Sequence, residues 1–325
     1  MSCSVSSLVV RYRSSADLAC LALAGLLWGT GGLFGSQLGQ VAGLSPLSVA
    51  AYRLLAGGGL IVVFRTLPRR DLTSRDLSRR NLGRRRTPSG RAAWRRIAVN
   101  GLLSALFQSC YFAAIACTNV SLATLITIGG TPVIVAIVER VTGRRPLGRS
   151  GGVTLVMALV GLGLLVGFPD GSFPETAMLA GTGLSLLSAA GFAAVTLLGT
   201  SPVPGLDDLT VNGYGFVLGG VVLLPLAGLV GPGLGVRTAL GTGDAAAAAA
   251  LLLALAAFPT AIAYTLYYRG LRTAAASTGA VLSLLEPLTA AVLAAVFLGD
   301  RLGPVGVAGA ALLLAAFART IRESR

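Results

Sequence analysis

The stretch from Ser277 to Arg301, STGAVLSLLEPLTAAVLAAVFLGDR, decides the fold. Between Ala274 and Leu298 it is apolar over a membrane-crossing length, since about 20 residues at about 1.5 Å each cover the ~30 Å hydrocarbon layer. Glu286 stands in its middle, with Pro287 directly after it. A carboxylate at that depth costs about 2.5–3.5 kcal/mol on insertion scales, so it normally faces a bundle interior or a wet cavity. A cavity inside a helical bundle is what a transporter needs.

The rest of the chain agrees with a membrane setting. Its 325 residues are 54% hydrophobic and 12% charged, with a mean hydropathy of +0.80. That composition excludes an ordinary soluble surface. Apolar runs of membrane length fall at 18–40, 46–64, 97–117, 121–138, 151–168, 176–199, 209–230, 245–268, 274–298 and 303–320. The third and fourth meet near Asn119 and Ser121, so ten spans require a tight helical hairpin there, and merging the two would give nine. The stretch before the first run is short and basic, and that run is longer than a signal-peptide core and has no clear small-residue cleavage site. It is expected to stay as helix one.

Arginine placement decides between ten and nine. The net charge of +14 comes from arginine alone, because the chain has no lysine. With a cytoplasmic N-terminus and ten spans, 23 of the 26 arginines fall on the cytoplasmic side, Arg237 and Arg301 fall outside, and Arg53 lies within a span. The positive-inside rule therefore places both termini in the cytoplasm of a cell (plasma or inner) membrane. One loop, 200–208, dissents by carrying only Asp207 and Asp208. The loop at 65–96 holds twelve of the inside arginines. Read alone it resembles a nucleic-acid-binding arm, but a topology signal and anchor to anionic lipid accounts for it without a nucleic acid partner.

The chain also repeats itself. YFAAIACTNVSLATLITIGGTPVIVAIVERVTGRR (Tyr111–Arg145) matches YYRGLRTAAASTGAVLSLLEPLTAAVLAAVFLGDR (Tyr267–Arg301), each with an aromatic pair, a later proline (Pro132, Pro287) and a Gly-Xaa-Arg turn. Halves at 1–168 and 169–325 would hold five spans each. Five is odd, so the second half enters the membrane with opposite orientation. An inverted repeat with prolines at matching positions points to a secondary transporter with its site at the repeat interface. Pro132 and Pro287 are the expected helix breaks or hinges, since a proline frees a carbonyl one turn back.

LLWGT at 26–30, SPLSVAAYRLLA at 45–56, the Tyr111–Arg145 segment and LLEPLTAAVLAAVFLGDRLGPVGVAGAALLLAAF at 284–317 resemble the EamA-type families of the drug/metabolite transporter superfamily. The resemblance implies ten helices in two inverted five-helix repeats and export of amino acids, related metabolites or drugs. Asp300 stands where the family usually has Glu, Arg144 replaces an expected acid, and the second half shows AAGFAAVT near Phe192 in place of a counterpart to Trp28. These departures leave the substrate open.

Six residues are candidates for substrate binding or coupling. Glu286 fits a substrate amine or a coupling proton, because burial disfavours the ionised form of a carboxyl. The alternative is a neutral acid hydrogen-bonded to a neighbouring helix, holding the bundle together. Arg53 fits a carboxylate, an ion pair with Glu286, or a side chain snorkelling to the interface. Trp28, Tyr111, Tyr264 and Tyr267 fit a pocket lined by rings and hydroxyl donors, or packing and interface roles. Trp28 is too deep in its helix for an interface belt. Gly25, Gly29 and Gly32, and Gly215 and Gly219, have the spacing of close helix approach.

A membrane-embedded enzyme would need a nucleophile, a base or metal ligands converging near one interface. The chain has no histidine, and Cys3, Cys20, Cys110 and Cys117 have no metal-ligand spacing. No cofactor, metal or catalytic residue is expected. A non-transporting scaffold or receptor is the remaining alternative. The expected partners are a small-molecule substrate and the lipid bilayer. With both termini cytoplasmic, a single cysteine at Ser74 should be shielded from an impermeant thiol reagent in intact cells, whereas one at Ser172 should react. The opposite labelling pattern would reverse the orientation.

Overall fold

A computed structural model describes residues 2–67, 90–144, 148–167, 173–201, 203, 206–230, 245–299 and 303–323, with side chains from residue 15 onward except at residues 230 and 298. Most of the arginine-rich loop lies outside the described residues, as do Asp170, Asp244, Asp300 and Arg301. Among the described residues, ten helices have membrane-spanning length and apolarity. They are α1 (Ser2–Ala42), α2 (Pro46–Thr66), α3 (Arg91–Cys117), α4 (Val120–Val141), α5 (Arg149–Val166), α6 (Glu175–Gly199) and α7 (Asp208–Val230), then α8 (Ala245–Gly270), α9 (Ala276–Phe297) and α10 (Pro304–Glu323). The protein is an all-helical, multi-pass membrane protein. Side chains such as Val141 and Leu229, about four-fifths exposed, face what the bilayer would fill.

The tight hairpin between α3 and α4 is built from local polar bonds. Only Thr118 and Asn119 separate the two helices. The Thr118 hydroxyl donates to the Ala114 carbonyl at 2.8 Å, closing α3. The Asn119 side-chain oxygen accepts from the Leu122 N–H at 2.8 Å, capping α4. Each bond satisfies a backbone group that a helix end leaves open. Ser45 caps α2 in the same way, accepting from the Ser48 N–H at 3.2 Å ahead of Pro46 at the first helical position.

The main helix contacts cross between the halves. The α2 helix packs on α7 and α5 packs on α10, while α1 packs on α8 and α9 just as α6 packs on α3 and α4. The first helix of each half therefore lies against the third and fourth helices of the other half. Close crossings occur where side chains are missing. A Cβ added at Gly219 would lie 2.8 Å from the Gly101 carbonyl oxygen, and one at Gly309 would lie 2.7 Å from that of Gly161. With no hydrophobic drive between helices in lipid, such backbone approach supplies packing that larger residues would forbid.

The two marked prolines behave differently. The α4 helix runs unbroken from Val120 through Pro132 to Val141, so the expected interruption there is absent. In α9 the helical segments end at Leu282 and resume at Leu285. Pro287 has no N–H to give the Ser283 carbonyl, and the Glu286 N–H takes that place at 3.0 Å. The α8 helix widens to a π-helical turn over Ala257–Ile262 around Pro259, with the Thr260 hydroxyl donating five residues back to the Leu255 carbonyl at 2.9 Å. Such widened turns concentrate at functional sites.

Overpacking a tight crossing costs about 1–3 kcal/mol. Gly219→Val should therefore lower the melting temperature in detergent and the yield of monodisperse protein, whereas Gly32→Ala, whose added carbon meets nothing within 4 Å, should leave both unchanged. Equal thermal stability of the two variants would show that the α3–α7 crossing tolerates separation.

Candidate functional site

The break in α9 opens onto a cavity of about 590 Å³ at the centre of the bundle. Its wall takes Trp28, Gly31 and Gly32 from α1, Arg53 from α2, Phe107, Gln108 and Tyr111 from α3, Phe192 from α6, Tyr264 from α8, and Ser283 and Glu286 from α9. The lining continues to Leu44 and Pro46 at the α1–α2 turn and to Val120 at the α3–α4 turn. Both turns lie at the same end of the bundle.

Five of the six candidate residues share this cavity. Glu286 is partly accessible, and no described residue hydrogen-bonds to its carboxyl group. Arg53 hydrogen-bonds to the Tyr264 side chain, and its charge reaches Glu286. Among the described residues the salt bridges are Arg65–Asp207, Arg272–Asp208 and Arg319–Glu323, so Arg53 and Glu286 are not joined by one. The Arg53 Nε and the Trp28 Nε1 are both buried donors without a partner. Arg53 therefore does not snorkel away from the bundle. Its Nη1 lies against α1 at Gly31, where an added Cβ would come within 3.7 Å.

Trp28 is the hub of the aromatic wall. It is 5% exposed, and its ring centroid lies 5.7 Å from Phe192, 5.0 Å from Tyr264 and 4.8 Å from Tyr267. The T-shaped and tilted arrangements suit the ring quadrupoles. Tyr111 lines the wall and shares a 2.7 Å hydrogen bond with Thr124 of α4. Tyr267 is the exception. It is fully buried behind Trp28, off the cavity wall, with its hydroxyl 3.0 Å from that of Thr196.

Beyond Tyr267 the bundle is closed by cross-helix polar bonds. The Tyr268 hydroxyl donates to Asn100 Oδ1 at 2.9 Å, and Asn100 Nδ2 donates to Asn212 Oδ1 at 3.3 Å. Glu139, buried at the end of α4, accepts the Ala276 N–H at 3.1 Å and so caps the start of α9, where a carboxylate meets the positive end of the helix dipole. Arg96 reaches the Leu198 and Ser201 carbonyls, and Thr273 donates to Asp17 at 2.6 Å. All of these ties sit at the end away from the α1–α2 and α3–α4 turns.

Reading the sequence for charges and large rings missed Gln108, Ser283, Thr127, Thr131 and Phe107 on the cavity wall, and Glu139 at the closed end. A signal for one of them exists. Asn100, Ser104 and Gln108 recur every four residues, which puts them on one face of α3. Of the marked glycines, Gly29 meets α9 so closely that an added Cβ would come within 2.8 Å of the Glu286 carbonyl oxygen, while Gly32 borders the cavity. Among the described residues no cluster of three His, Cys, Asp or Glu side chains exists that could hold a metal ion.

A ten-helix membrane bundle with a cavity lined by a carboxyl group and a guanidinium fits the class of membrane transporters. The chain is a member of the EamA-like transporter family, whose model matches twice, over residues 16–167 and 179–321. It is 29% identical over 292 residues to the uncharacterized transporter YwfM of Bacillus subtilis, covering 90% of this chain and 89% of that protein. It is 27% identical over 296 residues to a chloroplastic WAT1-related protein of Arabidopsis thaliana, covering 89% of this chain and 65% of that longer protein. A crystal structure of 19% identity superposes with a TM-score of 0.69 over 96% of this chain and 99% of its own, which speaks to the fold alone. Family and relatives point to a transporter, not to an enzyme.

Because Tyr267 packs behind the cavity wall, Tyr267→Phe should act on stability first. Thr196 keeps its bond to the Phe192 carbonyl, so the loss should be about 0.5–1.5 kcal/mol, seen as a drop of a few degrees in melting temperature. Transport per folded molecule should persist. A variant of wild-type stability that fails to transport would move Tyr267 into the binding machinery.

Proposed function

We propose that this protein is a secondary transporter that exports small dipolar metabolites, amino acids and related compounds or drugs among them, by alternating access across the cell membrane. The observation that carries the reading is a carboxylate and a guanidinium on the wall of one cavity, close enough to feel each other and not joined by a salt bridge. Two charges held apart in a low-dielectric bundle each keep unused valence, and a solute with an ammonium and a carboxylate would satisfy both. Arg53, steadied by Tyr264, receives the carboxylate, and Glu286 receives the amine or, in its absence, a proton. Trp28, Tyr111 and Tyr264 supply the apolar contact area.

The halves 1–168 and 169–325 act as two inverted five-helix repeats with the site between them. Both termini and the arginine-rich loop are cytoplasmic, on the arginine asymmetry. The cavity then opens towards the outside, and the polar ties beyond Tyr267 close the cytoplasmic end. Alternating access would break those ties while the α1–α2 and α3–α4 turns close over the solute. The reciprocal packing of α1 on α8 and α9 and of α6 on α3 and α4 supports a rocking motion that exchanges the two ends.

Glu286→Gln tests the coupling. It keeps volume and hydrogen-bonding capacity but removes ionisation. If Glu286 carries a proton, net transport driven by a pH gradient in proteoliposomes should fall more than tenfold, while solute exchange and folded yield persist. If it binds the amine, exchange should weaken at every pH. Wild-type rates with wild-type pH dependence would sink both roles and leave the carboxyl as a tie between helices.

A further inference from the structure

Gln108 takes part in none of the interactions assigned so far. It is 4% exposed and yet lies on the cavity wall. Its polar atoms are not sealed in the core as the orphaned Asn212 Nδ2 is, and among the described residues nothing hydrogen-bonds to its carboxamide. Its neighbours on the same face of α3 are all engaged. Asn100 is bonded to Tyr268 and Asn212, Ser104 donates to the Asn100 carbonyl at 2.8 Å, and Tyr111 pairs with Thr124. The stripe thus leaves one member open, and that member is the one aimed into the cavity.

A carboxamide offers two N–H donors and an acceptor oxygen. A solute that fills the cavity must either engage these groups or leave a buried amide unpaired, and the second outcome is unfavourable. The surroundings narrow the partner further. Phe107, Phe112, Ile115 and Phe192 line the same wall, so a second ionised group would be brought among apolar side chains without a counter-charge. The group that fits is neutral and carries both a donor and an acceptor. Gln108 also belongs to the chamber that holds the charges, because Tyr111, three residues on, lies within electrostatic reach of both Glu286 and Arg53.

We propose that Gln108 is a substrate-contacting, specificity-determining residue that selects, among dipolar solutes, those whose side chain ends in a neutral group able both to donate and to accept a hydrogen bond, a carboxamide above all, over apolar isosteres of the same length. The proposal rests on the transport reading given above.

The test compares glutamine with methionine, two dipolar solutes of similar length that differ in this group. Wild type, Gln108→Met and Gln108→Leu are reconstituted, and counterflow of each radiolabelled solute is measured. The glutamine-to-methionine ratio is independent of how much protein folded, and Gln108→Met keeps the side-chain volume. Wild type should favour glutamine by about tenfold or more, as sites built to hydrogen-bond a substrate group reject analogues lacking it. Both variants should lose that preference through slower glutamine and equal or faster methionine movement. An unchanged ratio in the variants, or a wild-type preference for methionine, overturns the proposal. So does a wild type that exchanges other dipolar solutes, leucine or serine, but neither member of the pair, and in that case the transport reading still stands. If no dipolar solute moves at all, the transport reading falls and the assignment of Gln108 falls with it.

Discussion

The approach of α1 to the broken part of α9 is the constraint on which the site depends. Gly29 brings the α1 backbone so near that an added Cβ would come within 2.8 Å of the Glu286 carbonyl, and Gly25 does the same at the Leu282 carbonyl, 2.6 Å away. The helix is interrupted at Ser283 and Leu284 between these two contacts. Irregular backbone at membrane depth persists only where protein or a wet cavity covers it, and α1 supplies that cover because it has no side chains there. The same crossing sets Trp28 against Tyr264 and Tyr267 on one side and leaves Gly31 and Gly32 bordering the cavity on the other. One run of small residues therefore fixes the depth of the carboxylate, the aromatic wall and an opening between them.

The ten spans were legible because each is a long apolar run whose ends carry arginine, glycine or proline. The hairpin at Thr118 and Asn119 was the hard case, and parity decided it before the capping bonds explained it. Glu286 and Arg53 were legible for a different reason: an ionisable group within a span is rare enough to stand out singly. Gln108 was not singled out, because a neutral amide on an otherwise mixed helix stands out only once the four-residue recurrence with Asn100 and Ser104 is placed on one face. Glu139 hid at the edge of a span among arginines, where a carboxylate reads as solvated. Its partner is a backbone N–H from α9, and sequence spacing carries no trace of a bond between helices so far apart in the chain.

The matching prolines show where a sequence repeat and a structure part company. Pro132 and Pro287 occupy corresponding places in the two halves, yet α4 is continuous and α9 is broken. A proline's missing N–H does not by itself oblige a helix to break. In α4 the buried Thr127 hydroxyl donates to the Ser185 carbonyl of α6 at 3.2 Å, and the Thr131 hydroxyl donates back to the Thr127 carbonyl at 2.9 Å and lies 3.4 Å from the Ala189 carbonyl, so that stretch is tied to a neighbouring helix. In α9 the corresponding stretch meets the backbone of α1 and the cavity, and the charge sits in the broken half alone. The carboxyl group thus sits in the segment whose helix is interrupted, and the matching segment keeps its helix intact.

Polarity is also distributed unequally along the bundle axis, and this bears on which end moves. Beyond Tyr267 the helices are tied by an amide pair, a buried carboxylate cap, arginine-to-carbonyl contacts and ion pairs to Asp207 and Asp208. Towards the α1–α2 turn the wall is mostly apolar, with Gly35, Gly39, Leu44, Pro46 and Val49, and takes in Ser36 and Gln40. Apolar surfaces separate in lipid without leaving unpaired polar groups, whereas each tie at the other end must find a new partner when it parts. Water can serve as that partner only if it reaches the whole layer. Asn212 Nδ2 is already unpaired there, and Asn100 and Ser104 lead along α3 from that layer to Gln108 in the cavity. On the transport reading, that polar face of α3 would line the path from the chamber to the closed end.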